Sequence, residues 1–493
     1  MMPLSIMGYY LLRNKKDNWG MIWLLICSFV FIAYLNPLYL AVLIPSICFN
    51  YFIAKLMNTP DCKIKRKSLL AVGVTIDVIT LLIFKYTGFF IETVNDILDR
   101  DSVEIKILLP LGISFYTFQQ ITFLVDYYRD ETLSCSLLEY ALFISFYPQF
   151  VQGPIVLQSE FIPQLRDENR KNCDQEYLAK GLYRFILGLA KKVLIADGIA
   201  VAINTGYIYL AEHGTLSSIL LILGYSLQIY FDFSGYTDMA IGLGWMFHID
   251  LSENFDSPYK AGSIEEFWDR WHITLTRFFT RYVYIPLGGS RKGRARTYIN
   301  IMIIFLLSGL WHGSDISFVV WGIMHGAGML VCRLIRDVRK SKNDTLSDNR
   351  MIKAVKTGIT FIYVSAAWVF FRAPDCEKAV RVFTNLLNVG NMNIASRMAE
   401  KFNEHIEITM ILRLDPLNLN DKFYGIWMMV ALVLVLCACL FLPNTKQMTE
   451  RFRDSIITMT GHKRVITYGL MTVLFFWSIL SMSGVSEFVY WSF

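Results

Sequence analysis

Charged side chains are missing from long stretches of this chain. Residues 19–54, 214–231, 316–332, 423–445 and 465–486 contain no Asp, Glu, Lys or Arg. A bilayer core about 30 Å thick is crossed by roughly 20 mostly apolar residues at 1.5 Å each, so several of these runs can span it alone. Run 19–54 is long enough to cross twice, with Asn36-Pro37 near its middle as the turn. The pattern predicts membrane helices near 19–35, 38–57, 69–90, 105–125, 137–157, 181–208, 214–245, 298–314, 316–336, 355–371, 423–443 and 465–486, with another short one in the first ten residues. The fold class is therefore an all-α polytopic membrane protein of about 11–13 membrane helices, short re-entrant ones included. The alternating ten-residue segments of an outer-membrane barrel are not seen.

Composition agrees. Of 493 residues, 54% are hydrophobic and only 18% charged, against about 25% charged in soluble domains. The net charge of +6 is no nucleic-acid signal, because Lys and Arg gather in short loops as membrane topology requires. Arg13, Lys15 and Lys16 precede the first hairpin and Lys63, Lys65, Arg66 and Lys67 follow it, which places both clusters in the cytoplasm. The loop after 69–90 is expected outside; it carries Glu92, Asp96, Asp99, Asp101 and Glu104. The basic Arg13–Lys16 cluster follows the first apolar residues instead of preceding them, unlike a secretory signal, so the whole chain is expected to be retained. Nine scattered cysteines form no CxxC pair and read as small core hydrophobes. No internal repeat is visible. The polar stretch 391–421 is the candidate extramembrane insert within a single membrane domain, 1–493.

Chemistry concentrates in one region, 228–326, which holds four of the seven histidines. Asp232 and Asp238 lie within an otherwise apolar stretch, where they orient polar groups or serve helix packing. Segment 263–285 reads as one amphipathic helix. Ser263 and Glu266 fit a capping box, and Ile264, Phe267, Trp268, Trp271, Leu275, Phe278 and Tyr282 recur at helical spacing. His272 falls at the edge of that apolar face. His312 follows the uncharged run Ile301 to Trp311, flanked by Gly309 and Gly313. An ionisable group at membrane depth is a functional candidate, and a neutral imidazole with an ordinary pKa near 6.5 is suited to taking a proton from a hydroxyl. His325, thirteen residues on, either supports that site or packs helices. Metal-ligand spacings, a G-x-S-x-G elbow and a P-loop are absent from the sequence. The loop 286–296 combines Gly288, Gly289 and Gly293 with Arg291, Lys292, Arg294 and Arg296, which suits donor phosphates or anionic lipid.

Together the motifs LPLGISFYTFQ (109–119), FYPQFVQGPI (146–155), DFSGYTDMAIGLG (232–244), ENFDSPY (253–259), FWDRWHITL (267–275), PLGGSRKG (286–293), GLWHG (309–313), WGIMHG (321–326) and AAWVFFRA (366–373), with the terminal VYWSF, resemble the membrane-bound O-acyltransferases (MBOAT) of the bacterial alginate O-acetyltransferase branch. The resemblance runs from about residue 19 to the C-terminus. It implies a ring of membrane helices around a thinned centre and a tunnel from a cytoplasmic donor entrance to the external face. It maps the family's catalytic histidine to His312 and its second active-site histidine to His272. It also implies acetyl-CoA as acyl donor with no bound cofactor, and location in the bacterial cytoplasmic (inner) membrane. The implied acceptor is an exported or cell-surface polysaccharide. Acyl groups would reach it through an exported SGNH-hydrolase-like acyltransferase or a polysaccharide synthesis complex.

Two readings remain beside polysaccharide O-acetylation. The D-alanyl transfer proteins of teichoic acid synthesis share the DFSGYTD, ENF and WH motifs, but the PLGGSRKG loop and the chain length favour the acetyltransferase branch. A transporter that performs no chemistry would tolerate loss of both histidines. Under the first reading His312 is the general base, His272 positions the thioester or stabilises the oxyanion, and Trp268, Trp271 and Trp311 shape the tunnel.

Overall fold

The computed structural model describes residues 1–13, 18–60, 62–98, 108–131, 133–341, 349–405, 421–456 and 461–482. Much of the acidic loop, residues 406–420 of the proposed insert and the terminal VYWSF lie outside the described residues.

The described chain is helical. In order, its helices are α1 (Met2–Arg13), α2 (Trp19–Leu35), α3 (Leu38–Met57), α4 (Arg66–Leu98), α5 (Ile113–Tyr128), α6 (Leu137–Ser145), α7 (Tyr147–Phe150), α8 (Gln158–Arg166), α9 (Gln175–Ala190) and α10 (Gly198–Ile208). There follow α11 (Thr215–Met246), α12 (Ile264–Arg270), α13 (Ile273–Phe279), α14 (Arg294–His312), α15 (Ile316–Ser341), α16 (Arg350–Arg372), α17 (Cys376–Leu387), α18 (Ser396–His405), α19 (Asp421–Phe441), α20 (Thr445–Ile456) and α21 (Gly461–Leu480). Seven of them (α3, α4, α11, α15, α16, α19 and α21) are long and apolar enough to cross a membrane. Their surfaces carry large apolar side chains in the open, such as Val465, Leu470 and Val473 on α21 and Leu434 on α19. A run of such residues on a helix exterior is costly in water and costs nothing in lipid. α11 is the exception: most of it is buried within the protein.

Three predicted spans depart from a single regular helix. The segment 137–157 is not one helix. It stops at Ser145, makes one turn over Tyr147–Phe150, and runs on without helix before α8. Pro148 and Gly153-Pro154 explain this, since proline lacks the N–H that a helix interior requires and restricts the residue before it. The 105–125 helix begins only at Ile113, after Pro110 and after Gly112 at φ 72°. The 181–208 helix is continuous but widens to a π-helix over Lys191–Asp197.

By internal packing the chain falls into two compact units. Unit 1 comprises Met1–Phe185, Met239–Glu253 and Thr280–Tyr282. Its centre is an aromatic cluster of Phe123, Tyr140, Phe143, Phe146 and Phe161, all fully or almost fully buried. Arg184 makes a bidentate pair with Glu253, at 2.7 and 2.6 Å, and Arg281 and Tyr282 converge on Asp126.

Unit 2 comprises Ile186–Asp238, Asn254–Phe279 and Val283–Phe493. Here α14 and α15 form an antiparallel pair whose backbones nearly touch. A Cβ on Gly309 would lie 2.4 Å from the carbonyl oxygen of Phe318, and one on Gly322 would lie 2.4 Å from that of Phe305. Small residues at membrane-helix interfaces permit this approach and the dispersion contacts it brings. In the same unit the π-helix aims two lysines at α11. Lys192 lies 2.6 Å from Asp232 and from Asp197, and Lys191 lies 2.7 Å from Asp238. Asp232 and Asp238 thus face a buried and a half-buried ammonium group of the neighbouring helix.

Two outcomes test this packing. Gly322→Ala is expected to destabilise the protein by about 1–3 kcal/mol through overpacking, seen as a lower melting midpoint in detergent. Gly358→Ala, at a position with open space around it, leaves the midpoint unchanged or raises it. Lys192→Met strands the Asp232 carboxylate and is expected to cost about 3–5 kcal/mol. The double change with Asp232→Leu recovers much of that loss; a double variant as unstable as Lys192→Met would show that the pair is not the cause.

Candidate active site

The predicted amphipathic helix 263–285 is in fact broken at its centre. Its start is as expected, with Ser263 Oγ accepting from the Glu266 amide at 3.1 Å, although the Glu266 carboxylate takes the Gly262 amide instead of closing the box on Ser263. α12 ends at Arg270, Trp271 is extended, and α13 begins at Ile273. His272 sits in the break at φ 44°, a left-handed conformation that costs a non-glycine residue of order 1–3 kcal/mol unless its surroundings hold it. The surroundings are the strand-like stretch 254–256. Phe255 and Trp271 form an antiparallel bridge. The Asp256 amide donates to the Arg270 carbonyl and the Ile273 amide to the Asn254 carbonyl, at 3.0 and 3.1 Å. Neither Pro nor Gly marks this break, so periodicity carried the sequence reading straight through it. The apolar positions are nonetheless buried, except Tyr282, whose hydroxyl donates to Asp126 in unit 1.

His272 is wholly buried. Its Nδ1 lies 3.2 Å from Asn254 Oδ1, and the ring of Phe233 meets it edge-on at 4.8 Å. Phe233 follows Asp232 on α11, so adjacent residues of that helix serve the lysine pair and the histidine.

His312 ends α14 and is buried. Three aromatic rings enclose it edge-on: Trp311 at 4.6 Å, Trp321 at 5.0 Å and Phe371 at 4.9 Å. Trp321 comes from α15, held close by the Gly309 and Gly322 contacts, and Phe371 comes from the C-terminal turn of α16. His325, one turn beyond Trp321, is fully buried and accepts a hydrogen bond on Nδ1 from Trp268 Nε1 at 3.2 Å. Aromatic contacts continue from His312 to His272: Trp321 to Trp368 at 6.0 Å, Trp368 to Trp271 at 5.0 Å, Trp271 to Phe255 at 5.0 Å, and Phe255 to Phe233 at 5.0 Å. Both histidines therefore border one continuous apolar, aromatic region of unit 2. In such a region a proton acceptor is shielded from water and dipolar interactions are strengthened.

The basic loop is elsewhere. Arg291, Lys292 and Arg294 are exposed at the N-terminal end of α14, and the helix's 19 residues separate them from His312 by about 28 Å along its axis. The glycines there do adopt left-handed backbone, with φ 104° at Gly288, 54° at Gly289 and 87° at Gly293. Among the described residues no group of three His, Cys, Asp or Glu side chains could hold a metal ion.

Several residues escaped the sequence reading. Lys191 and Lys192 could have been found, because two lysines inside a predicted span require buried partners. Asn254, Phe233, Trp321, Trp368 and Phe371 lie within the quoted motifs, but neither charge nor spacing singles them out there.

Known proteins of like sequence identify the family. The chain is 37% identical to a peptidoglycan O-acetyltransferase of Helicobacter pylori, over 83% of this chain and 82% of that protein. It is 34% identical to a probable alginate O-acetylase of Pseudomonas aeruginosa, over 80% and 74%. Against a teichoic acid D-alanyltransferase of Bacillus subtilis it is 30% identical, over 53% and 68%. Residues 128–372, which contain both enclosed histidines, match the membrane-bound O-acyltransferase family. The chain belongs to that family and is a multi-pass membrane O-acyltransferase.

Proposed function

We propose that this protein moves an acetyl group from a cytoplasmic thioester, acetyl-CoA, toward hydroxyls of an exported or cell-surface polysaccharide, across the bacterial inner membrane. The observation that carries the reading is the likeness to a peptidoglycan O-acetyltransferase over more than four fifths of both chains. The motif region 228–326 is its catalytic core, extended by Trp368 and Phe371 of α16, which pack on the site.

His312 acts as general base. It takes the proton of the acceptor hydroxyl, whose oxygen attacks the acetyl carbonyl carbon. The tetrahedral intermediate collapses with cleavage of the carbon–sulfur bond, and the thiol leaves with the proton. The acceptor is a sugar hydroxyl or the serine of an exported SGNH-hydrolase-like partner. His272 positions the thioester or stabilises the oxyanion. Trp268, Trp271 and Trp311 wall the path, and the aromatic surroundings keep water from hydrolysing the thioester. Arg291, Lys292 and Arg294 hold the donor phosphates at the far end of α14. That separation suits a donor whose charged head remains in the cytoplasm while its acyl end reaches membrane depth. D-alanyl transfer from a carrier-protein thioester is the second reading, favoured by the D-alanyltransferase relative but over a smaller share of this chain.

The test is transfer of label from radiolabelled acetyl-CoA in membranes. The unaltered chain is expected to label polymer or an exported partner. His312→Ala is expected to reduce that transfer at least 100-fold, the scale of general-base loss, while its level in the membrane stays the same. Normal transfer in the variant would remove His312 from the mechanism. Label from a D-alanyl carrier protein, and none from acetyl-CoA, would move the assignment to the second reading.

A further inference from the structure

A polar cluster in the candidate site is organised by a residue that carries no charge. Asn254 is fully buried. Its Oδ1 accepts from the Thr274 amide at 3.2 Å and from the Thr274 hydroxyl at 2.7 Å, and it faces His272 Nδ1 at 3.2 Å. The backbone donor on Thr274 identifies this atom as the amide's oxygen, since a side-chain NH₂ could not accept from it. An oxygen acceptor requires a proton on His272 Nδ1. The Asn254 carbonyl meanwhile receives the Ile273 amide at 3.1 Å, so one residue grips positions 272, 273 and 274 together. Its own Nδ2 has no hydrogen-bond partner among the described residues. The conformation is thus set by the demands on Oδ1, not by satisfying every group of the amide.

We infer that Asn254 is a positioning residue for His272: it holds the imidazole neutral, with the proton on Nδ1 and the lone pair on Nε2, at a backbone position the chain would not adopt unaided. This rests on the reading of His272 as a functional histidine and adds to it the state in which the ring works. An Nε2 lone pair can accept a proton or a hydrogen bond; with the other tautomer the same edge could only donate. The choice of asparagine over aspartate follows. A carboxylate would accept from the same three donors but would stabilise the imidazolium, which has no lone pair to offer.

Charged groups near the pair are engaged elsewhere. Glu253 is held by Arg184, Asp256 accepts from Asn444 Nδ2 at 2.7 Å, and Arg270 pairs with Glu266 at 2.8 Å. Phe233 from α11, and Phe255 and Trp271 beside it, contribute no titrating group. Asp232, next to Phe233 on α11, is paired with Lys192 at 2.6 Å, so these neighbours leave the tautomer of the ring to Asn254.

The test compares Asn254→Asp, Asn254→Ala and His272→Ala in the full-length protein in membranes, by acetyl transfer from acetyl-CoA between pH 5.5 and 9. Membrane level and melting midpoint are measured in parallel. Asn254→Asp is expected to keep its level and to move the acidic limb of the turnover profile to higher pH, by about one unit or more, because a charged neighbour raises the imidazole's pKa. Asn254→Ala is expected to lower turnover about 10–100-fold, the scale known for histidines at metal sites that lose an orienting partner. A purely structural amide would predict otherwise, since aspartate caps a helix start as well as asparagine. An Asn254→Asp protein with the parent's pH profile, one inactive throughout the range, or an Asn254→Ala protein with the parent's turnover overturns the inference. Full activity in His272→Ala would instead overturn the reading beneath it, whatever the Asn254 variants do.

Discussion

Lipid offers no hydrogen bonds, and that single constraint governs the interior of this fold. A polar group at membrane depth is costly unless another part of the protein meets it. Lys191 and Lys192 persist in an apolar helical run because Asp238 and Asp232 stand opposite them on α11. The backbone groups freed where α12 gives way to α13 are taken up by Asn254 and Asp256. Trp268 gives its indole N–H to His325. None of these pairs is a surface decoration. Removing one member leaves the other in a medium where its desolvation is uncompensated, so the polar pattern inside is as tightly specified as the apolar one.

Close packing is the second half of the same argument. Without a hydrophobic drive between helices already in lipid, association depends on backbone approach and dispersion. Gly309 and Gly322 allow α14 and α15 to approach until a methyl group would collide with a carbonyl. That approach fixes where Trp321 lies against His312. The pairing of helices and the shape of the site are therefore one event: the glycines belong to the architecture, and their effect is read at the histidine.

The site follows from these two demands. Two buried imidazoles border an aromatic region, and at least one of them faces an uncharged amide at hydrogen-bond distance. Acyl transfer from a thioester needs a neutral base and a dry path, because a hydrated one would spend the thioester on water. The basic loop at the opposite end of α14 gives the helix a charged end and an apolar, histidine-bearing end. On the proposed reading, this polarity suits an enzyme that draws on one side of a membrane and delivers toward the other.

The sequence by itself determined a great deal. Uncharged runs of about 20 residues predicted the membrane helices, and the motifs carrying His312 and His272 marked the region where chemistry concentrates. Those signals are local: hydropathy and short motifs survive without knowledge of what lies opposite. The break at Trp271-His272, the partners of Asp232 and Asp238, the aromatic enclosure of His312 and the role of Asn254 were decided only in three dimensions. Each depends on a contact between residues distant in the chain. Asn254 and His272 are 18 positions apart, Lys192 and Asp232 are 40, and His312 and Phe371 are 59. A helical period of 3.6 residues reports which face a side chain occupies, not what meets it there. At His272 the tertiary partners outbid the helix for its own hydrogen bonds, and no periodicity can announce that.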